Sequence, residues 1–203
     1  MRTPQTQLFG SIATIVVVLS CGLLGVPILG EKLDGARLKA EQARNRVWMR
    51  SVVSEFDNEI AAADPKEFSD AVRLGTESPA SIVTLRDGGI NLATAMKLIS
   101  PSGYNGNIEI ALAVDERGTI TGLKVLSHQE TPGFGDVISN ADSEWIVSFL
   151  GRSLKNPETS RWQLRTDGGD IDGITGATIT ANAVVAGIYR ALNYIDQTNA
   201  GVH

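Results

Sequence analysis

Between Thr3 and Gly30 the chain carries no charged residue, and Leu8 to Leu29 is dominated by Ile, Val, Leu, Gly and Ala. About twenty such residues cross a bilayer as a helix, because hydrocarbon offers backbone N–H and C=O groups no partner outside the segment. The run predicts a membrane-spanning helix over residues 8–30, behind a tail of residues 1–7. Two cleaved alternatives fit less well. A signal peptide has an apolar stretch of about 7–15 residues closed by an A-x-A-like site. This run is longer and has no such site. Val18-Leu19-Ser20-Cys21 resembles a lipoprotein processing site, but the apolar run continues through Leu29, which a mature lipoprotein would expose.

Charge leaves the orientation open. Only Arg2 precedes the span, whereas Lys32, Arg37, Lys39, Arg44, Arg46 and Arg50 follow it. Taken literally, the preference of basic flanks for the cytoplasm puts the C-terminal body inside, but the rule applies poorly to long translocated domains. Gly10, Ser11, Thr14, Gly22 and Gly25 are small enough for a second helix to approach closely, although glycine is common in membrane helices anyway.

The remainder of the 203 residues suffices for one compact domain. A net charge of −5, with no cluster of Lys and Arg beyond the juxtamembrane stretch, argues against a nucleic-acid surface. Cys21 is the single cysteine, so no internal disulfide forms. Two histidines, His128 and His203, are too few for a histidine-rich metal centre, and HExxH, CxxC, P-loop and GxGxxG motifs are absent.

From Glu31 to about Phe56 the chain is rich in Ala, Arg, Glu and Lys and reads as a helix, with Val47, Met49, Val52, Val53 and Phe56 as its packing face. Asp64-Pro65 breaks that pattern. From about Ser81 the period becomes two. Ile82 to Leu85 and Asn91 to Ile99 read as strands joined at Asp87-Gly88-Gly89. Ile108, Ile110, Leu112 and Val114 then alternate with Glu109, Ala111 and Ala113 as a half-buried strand. Ile120, Leu123 and Val125 follow with a phase slip at Gly122 that a bulge would correct. Ser143 to Leu150 reads as a short helix with Trp145, Ile146 and Phe149 inward, and a strand is expected near Trp162 to Leu164. The last helix is expected from about Thr180 to Ile195, its stripe made by Val184, Val185, Ile188, Leu192 and Ile195. An antiparallel sheet flanked by helices makes the class α+β.

Two motifs stand out. The first, Asp167-Gly168-Gly169-Asp170-Ile171-Asp172-Gly173-Ile174-Thr175-Gly176-Ala177-Thr178-Ile179-Thr180, leads directly into the last helix. Its glycines let the backbone turn tightly and approach a ligand. Unpaired N–H groups and the positive end of a helix dipole suit a phosphate there. Taken alone, the same residues read more readily as a glycine turn with Thr178 or Thr180 as N-cap. The second motif is Glu130-Thr131-Pro132-Gly133-Phe134-Gly135-Asp136. His128 stands close by without further ligands, so a strand or surface role outweighs metal binding. Tyr104, Trp145 and Trp162 are candidates to stack on an aromatic ligand, against the commoner role of core.

In their wording and order these motifs resemble the FMN-binding domain family, and Gly103-Tyr104-Asn105-Gly106 looks like a further family feature. Behind a single span and at this length, the chain is similar to the G subunits of the Rnf-type ion-translocating oxidoreductases. That resemblance implies a juxtamembrane segment over residues 31–65 and one FMN-binding domain over residues 66–203. It implies FMN joined through its phosphate to Thr178, with Gly173, Thr175, Gly176, Ala177 and Thr180 on one side of the flavin. Glu130, Thr131, Gly133 and Gly135 would stand on the other. It further implies a magnesium-dependent flavin transferase that uses FAD, membrane and iron–sulfur subunits as partners, and electron exchange between ferredoxin and NAD. The span would lie in the bacterial inner membrane with the flavin domain periplasmic or outward-facing, against the literal charge count. No independent catalytic residue and no metal ligand are expected. Three other readings remain: the C subunit of a sodium-pumping NADH–quinone reductase, typically longer before the flavin motif; a flavin-binding redox sensor; and a structural anchor without flavin.

Overall fold

The computed structural model describes residues 37, 39–40, 43–53, 65–87, 89–140 and 143–200. The expected tail over residues 1–7, the expected span over 8–30 and Phe56 lie outside the described residues. Among the described residues no helix is long and apolar enough to cross a membrane. The chain divides into two units, Met1–Arg44 and Asn45–His203. In the first, the described residues 37, 39–40 and 43–44 are helical. The second holds the sheet, the core and the site.

Five strands run antiparallel in the order of the sequence: β1 (Lys66–Phe68), β2 (Ala80–Asp87), β3 (Ile90–Gly103), β4 (Gly106–Asp115) and β5 (Ile120–Ser127). With its helices this is an α+β domain. The expected β2–β3 hairpin closes at Asp87↔Ile90, and the pairing of β4 with β5 shifts between Ala113↔Gly122 and Val114↔Ile120. That shift is the bulge expected at Gly122. It leaves Ile120 and Leu123 both buried on the core face. Strand β1 and the four-residue α2 (Ala71–Leu74) carry no periodic signal. Local chemistry makes α2: the Asp70 carboxylate accepts the Arg73 N–H at 3.1 Å as an N-cap.

One face of the sheet carries Met96, Leu98, Ile108, Ile110, Leu112, Val114 and Val125 against the last helix, α4 (Thr178–Ala200). Val184, Val185, Ile188, Leu192 and Ile195 are all buried there, as their spacing predicts. The helix begins before Thr180 and runs beyond Ile195. Burying each such side chain contributes roughly 1.5–3 kcal/mol. Gly187 allows the close approach, since a methyl there would stand 2.9 Å from Ile110 Cδ1.

The other face is covered too. Trp48, Met49, Val52 and Val53, from and just beyond α1 (residues 45–50), pack on Val83, Leu85, Ala93, Ala95, Ala111 and Ala113. Strand β4 is therefore buried on both faces, where the alternation with Glu109, Ala111 and Ala113 suggested one. Alanine is small enough to admit a second layer, and a methyl on Gly122 would collide with the Val52 carbonyl. Val47 is not on the packing face as expected but 71% exposed. Trp48 takes the inward position, because contacts at 45, 48, 49 and 52 follow the helical period and turn residue 47 outward.

Two other elements differ from expectation. The helix within Ser143 to Leu150 shortens to α3 (Glu144–Val147), capped by the Ser143 hydroxyl, and tightens into i→i+3 bonds at Phe149 and Leu150. Ile146 and Phe149 are buried as expected, and Trp145 is half-buried. No strand forms at Trp162 to Leu164. Trp162 and Leu164 are both buried, which gives the period of two, but Leu164 makes only a single bridge to Ile171. The chain turns at Gly168 (φ +89°) and folds back so tightly that a methyl on Gly169 would overlap the Gln163 carbonyl.

Candidate functional site

Three connections converge at the N-terminal end of α4: the β3–β4 turn at Tyr104-Asn105, the loop from His128 to Gly135 after β5, and the segment from Gly173 to Thr180. Glu130 joins them. It is 5% exposed; its Oε1 accepts the Asn105 N–H at 3.0 Å, and its Oε2 accepts the Thr180 hydroxyl. Thr131 Oγ1 accepts from Asn105 Nδ2 at 3.1 Å, and His128 Nδ1 accepts the Glu130 N–H at 3.1 Å. His128 thus braces the end of the strand. Gly135 is needed for closeness, because a methyl there would stand 2.9 Å from Glu130 Cβ and 3.0 Å from Thr180 Oγ1.

The helix start is open. The Ala177 carbonyl accepts from Ala181, at 3.0 Å, so the N–H groups of Thr178, Ile179 and Thr180 precede the regular i→i−4 ladder. Gly176 takes φ +76° with Phe134 Cδ1 3.0 Å from where a Cβ would lie. Neither threonine caps with its side chain as the bare sequence allowed: Thr180 is 1% exposed and donates to Glu130, and Thr178 is exposed.

Around this opening lies a cavity of about 460 Å³, lined by Glu130, Thr131, Gly135, Gly176, Ala177, Thr178 and Thr180, with Tyr104, Phe134 and Ile179 as apolar rim. Those three are 67%, 57% and 53% exposed, unusual for large apolar side chains standing together. Of the residues expected at the site, the structure brings Thr178, Gly176, Ala177, Thr180, Glu130, Thr131 and Gly135 onto one cavity wall. Gly173 and Thr175 are exposed in the approach to the helix, away from that wall, and Gly133 sits in the turn behind it, its N–H bonded to Asp136 Oδ1 at 2.9 Å. Among the candidate stacking residues only Tyr104 reaches the cavity. Trp145 donates to the Asp172 carbonyl at 2.7 Å, fixing the start of the segment, and Trp162 is core. Sequence reasoning missed Phe134 and Ile179. The available signal was an aromatic flanked by two glycines, and an isoleucine at a helix position off the buried stripe.

Arg161 clamps the loop that leads into the Gly173–Thr180 segment. Its guanidinium bonds Asp170 Oδ1 at 2.6 Å and the Gly168 carbonyl at 2.7 Å. The hydrogen bond from Arg161 holds the Asp170 carboxyl below its ordinary range, and the same bond raises Arg161.

A helix N-terminus with free N–H groups, a reachable hydroxyl and an aromatic rim defines a domain for a phosphorylated aromatic ligand, and the FMN-binding domain family matches residues 103–193, which contain all three connections. Three relatives cover nearly the whole chain, and each is the G subunit of an ion-translocating oxidoreductase complex. The protein of Vibrio atlanticus is 37% identical over 91% of this chain and 89% of its own length. That of Shewanella oneidensis is 34% identical over 95% and 91%, and that of Shewanella baltica 31% over 100% and 94%. The chain belongs to the family of ion-translocating oxidoreductase complex G subunits.

FMN fits the residues present. Its phosphate suits the first turn of α4, its ring suits a rim of Tyr104, Phe134 and Ile179, and the cavity lies within the range of about 300–1,000 Å³ usual for ligand sites.

Proposed function

We propose that this chain is the membrane-anchored, electron-carrying flavoprotein subunit of an ion-translocating ferredoxin–NAD oxidoreductase, with FMN held as a phosphoester on Thr178. One observation supports the attachment point above the others. Of the threonines near the helix start, Thr178 alone is both exposed and on the cavity wall; Thr180 is buried against Glu130, and Thr175 lies off the wall.

A threonine hydroxyl needs an activating base, and among the described residues none is bonded to Thr178. A separate magnesium-dependent flavin transferase supplies the chemistry. The Thr178 oxygen attacks the FMN phosphorus of FAD, the pyrophosphate P–O bond breaks, AMP leaves, and the hydroxyl proton is lost. The N–H groups of the first turn would hold the phosphate, and the apolar rim of Tyr104, Phe134 and Ile179 would keep water from the ring. Bound flavin supplies reversible electron uptake and release. The phosphoester leaves the ring itself unaltered, so the tether serves retention and placement. The described sheet is antiparallel throughout and offers no dinucleotide crevice, so NAD and ferredoxin bind other subunits of the complex. Residues 8–30 anchor the chain in the inner membrane, with the flavin domain on the outer side.

The test is fluorescence in a denaturing gel after co-expression with a flavin transferase. Wild type, Thr175→Ala and Thr180→Ala should show a yellow-green band, weaker in Thr180→Ala, and Thr178→Ala none. A band that survives in Thr178→Ala would move the attachment elsewhere.

A further inference from the structure

We propose that Glu130 lowers the reduction potential of the bound flavin, acting as a buried anion, with no cationic partner among the described residues, on the cavity wall that Thr178 shares. The proposal rests on the flavin reading above and goes beyond it, since placement of FMN on Thr178 says nothing about potential.

Glu130 is almost fully buried, and both its oxygens act as acceptors, from the Asn105 N–H and the Thr180 hydroxyl. The Asn105 N–H can only donate, and the Thr180 hydroxyl can donate as well, so both contacts suit the carboxylate form. Among the described residues no Lys, Arg or His nitrogen lies within ion-pair distance of it. His128, its nearest titratable neighbour along the chain, accepts the Glu130 N–H at Nδ1 and so carries no proton on that nitrogen. Asp136, in the same loop, is a second acid and is occupied with the Gly133 N–H. Among the described residues the charge is therefore held by neutral donors alone. Within a wall of Gly135, Ala177 and Thr180 it is poorly screened by water or salt, so it acts across the cavity at a low effective dielectric. Electrons added to a group in that cavity bring negative charge toward an existing one. Reduction becomes less favourable than beside a neutral side chain of the same shape.

The rival role is purely structural, because the same carboxylate links the β3–β4 turn to the start of α4. Removing the charge separates the two roles. Full-length protein loaded by a flavin transferase is titrated spectroelectrochemically as wild type, Glu130→Gln, Glu130→Asp and Thr180→Val. Gln keeps the volume and still accepts from Asn105. Its flavin should be reduced at least tenfold more favourably, a positive shift of about 30 mV for a two-electron couple. Glu130→Asp and Thr180→Val keep the charge and should stay at or below the wild-type potential. An unmoved midpoint in Glu130→Gln, or an equal positive shift in Thr180→Val, would overturn the proposal. So would failure of Glu130→Gln to take up flavin, which would assign the carboxylate to assembly of the site. Wild-type protein without a fluorescent covalent band would instead contradict the Thr178 reading, and the gel shows that before any titration.

Discussion

Thr178 and Thr180 sit on the same helical turn, yet burial gives them different chemistry. Thr180 donates to a buried carboxylate and has no freedom to react, whereas Thr178 faces the cavity. Thr180→Val removes one of the donors holding Glu130, and leaving a buried acceptor short of a partner costs about 1–3 kcal/mol. Chemical denaturation should read that loss, and an unchanged midpoint would mean the hydroxyl bond is not formed in solution. Gly176→Ala forces a side chain into the left-handed region, costing about 1–2 kcal/mol, and presses on Phe134, so flavin loading should fall as stability does. The sequence named most of the cavity wall through the resemblance of its two motifs to the FMN-binding domain family. It did not reveal Phe134 and Ile179, because an apolar residue left outside a core has no periodic mark of its own. Nor did it reveal the Glu130–Thr180 bond, which joins residues distant along the chain.

At the scale of elements, the meander and the last helix follow from alternation and from the spacing of Val184 to Ile195. The second layer does not. Alanines on β3 and β4 read as a neutral outer face until residues 45–53 cover them. Gly122→Val would place a side chain against the Val52 carbonyl and push that layer off the sheet. Overpacking of this kind costs about 1–3 kcal/mol. Trp48 emission should shift red as its ring meets water, and an unshifted spectrum would contradict the packing. The loop from Arg161 to Ile171 shows the reverse error, in which buried alternation at Trp162 and Leu164 imitates a strand while tight folding at Gly168-Gly169 prevents one. Its Arg161–Asp170 clamp has a pH sign. Asp170 titrates lower folded than unfolded, so its contribution is present above the ordinary carboxylate range and is lost as pH falls through the depressed value. Protection of the Gly168 and Gly169 amides, relative to the same unfolded sequence, should fall as pH drops through that depressed value and in Arg161→Ala at neutral pH. Because both partners are exposed, the effect on global stability stays small.

For the whole molecule, an anchored N-terminus and an electron-carrying domain are two separate expectations, and each can fail alone. The apolar run over residues 8–30 predicts that the full chain stays with membranes through an alkaline carbonate wash, and release into the supernatant would contradict the span. Nearly full-length likeness to G subunits places the domain in a complex, so it should co-purify with iron–sulfur subunits when membranes are solubilised gently. The tether at residue 178 carries the rest. Native membranes are digested and the peptide carrying Thr178 is weighed and fragmented. That peptide should be heavier by FMN less one water, with the added mass fragmenting from Thr178. An unmodified peptide, or the added mass on Thr175 or Thr180, would contradict the phosphoester at that residue.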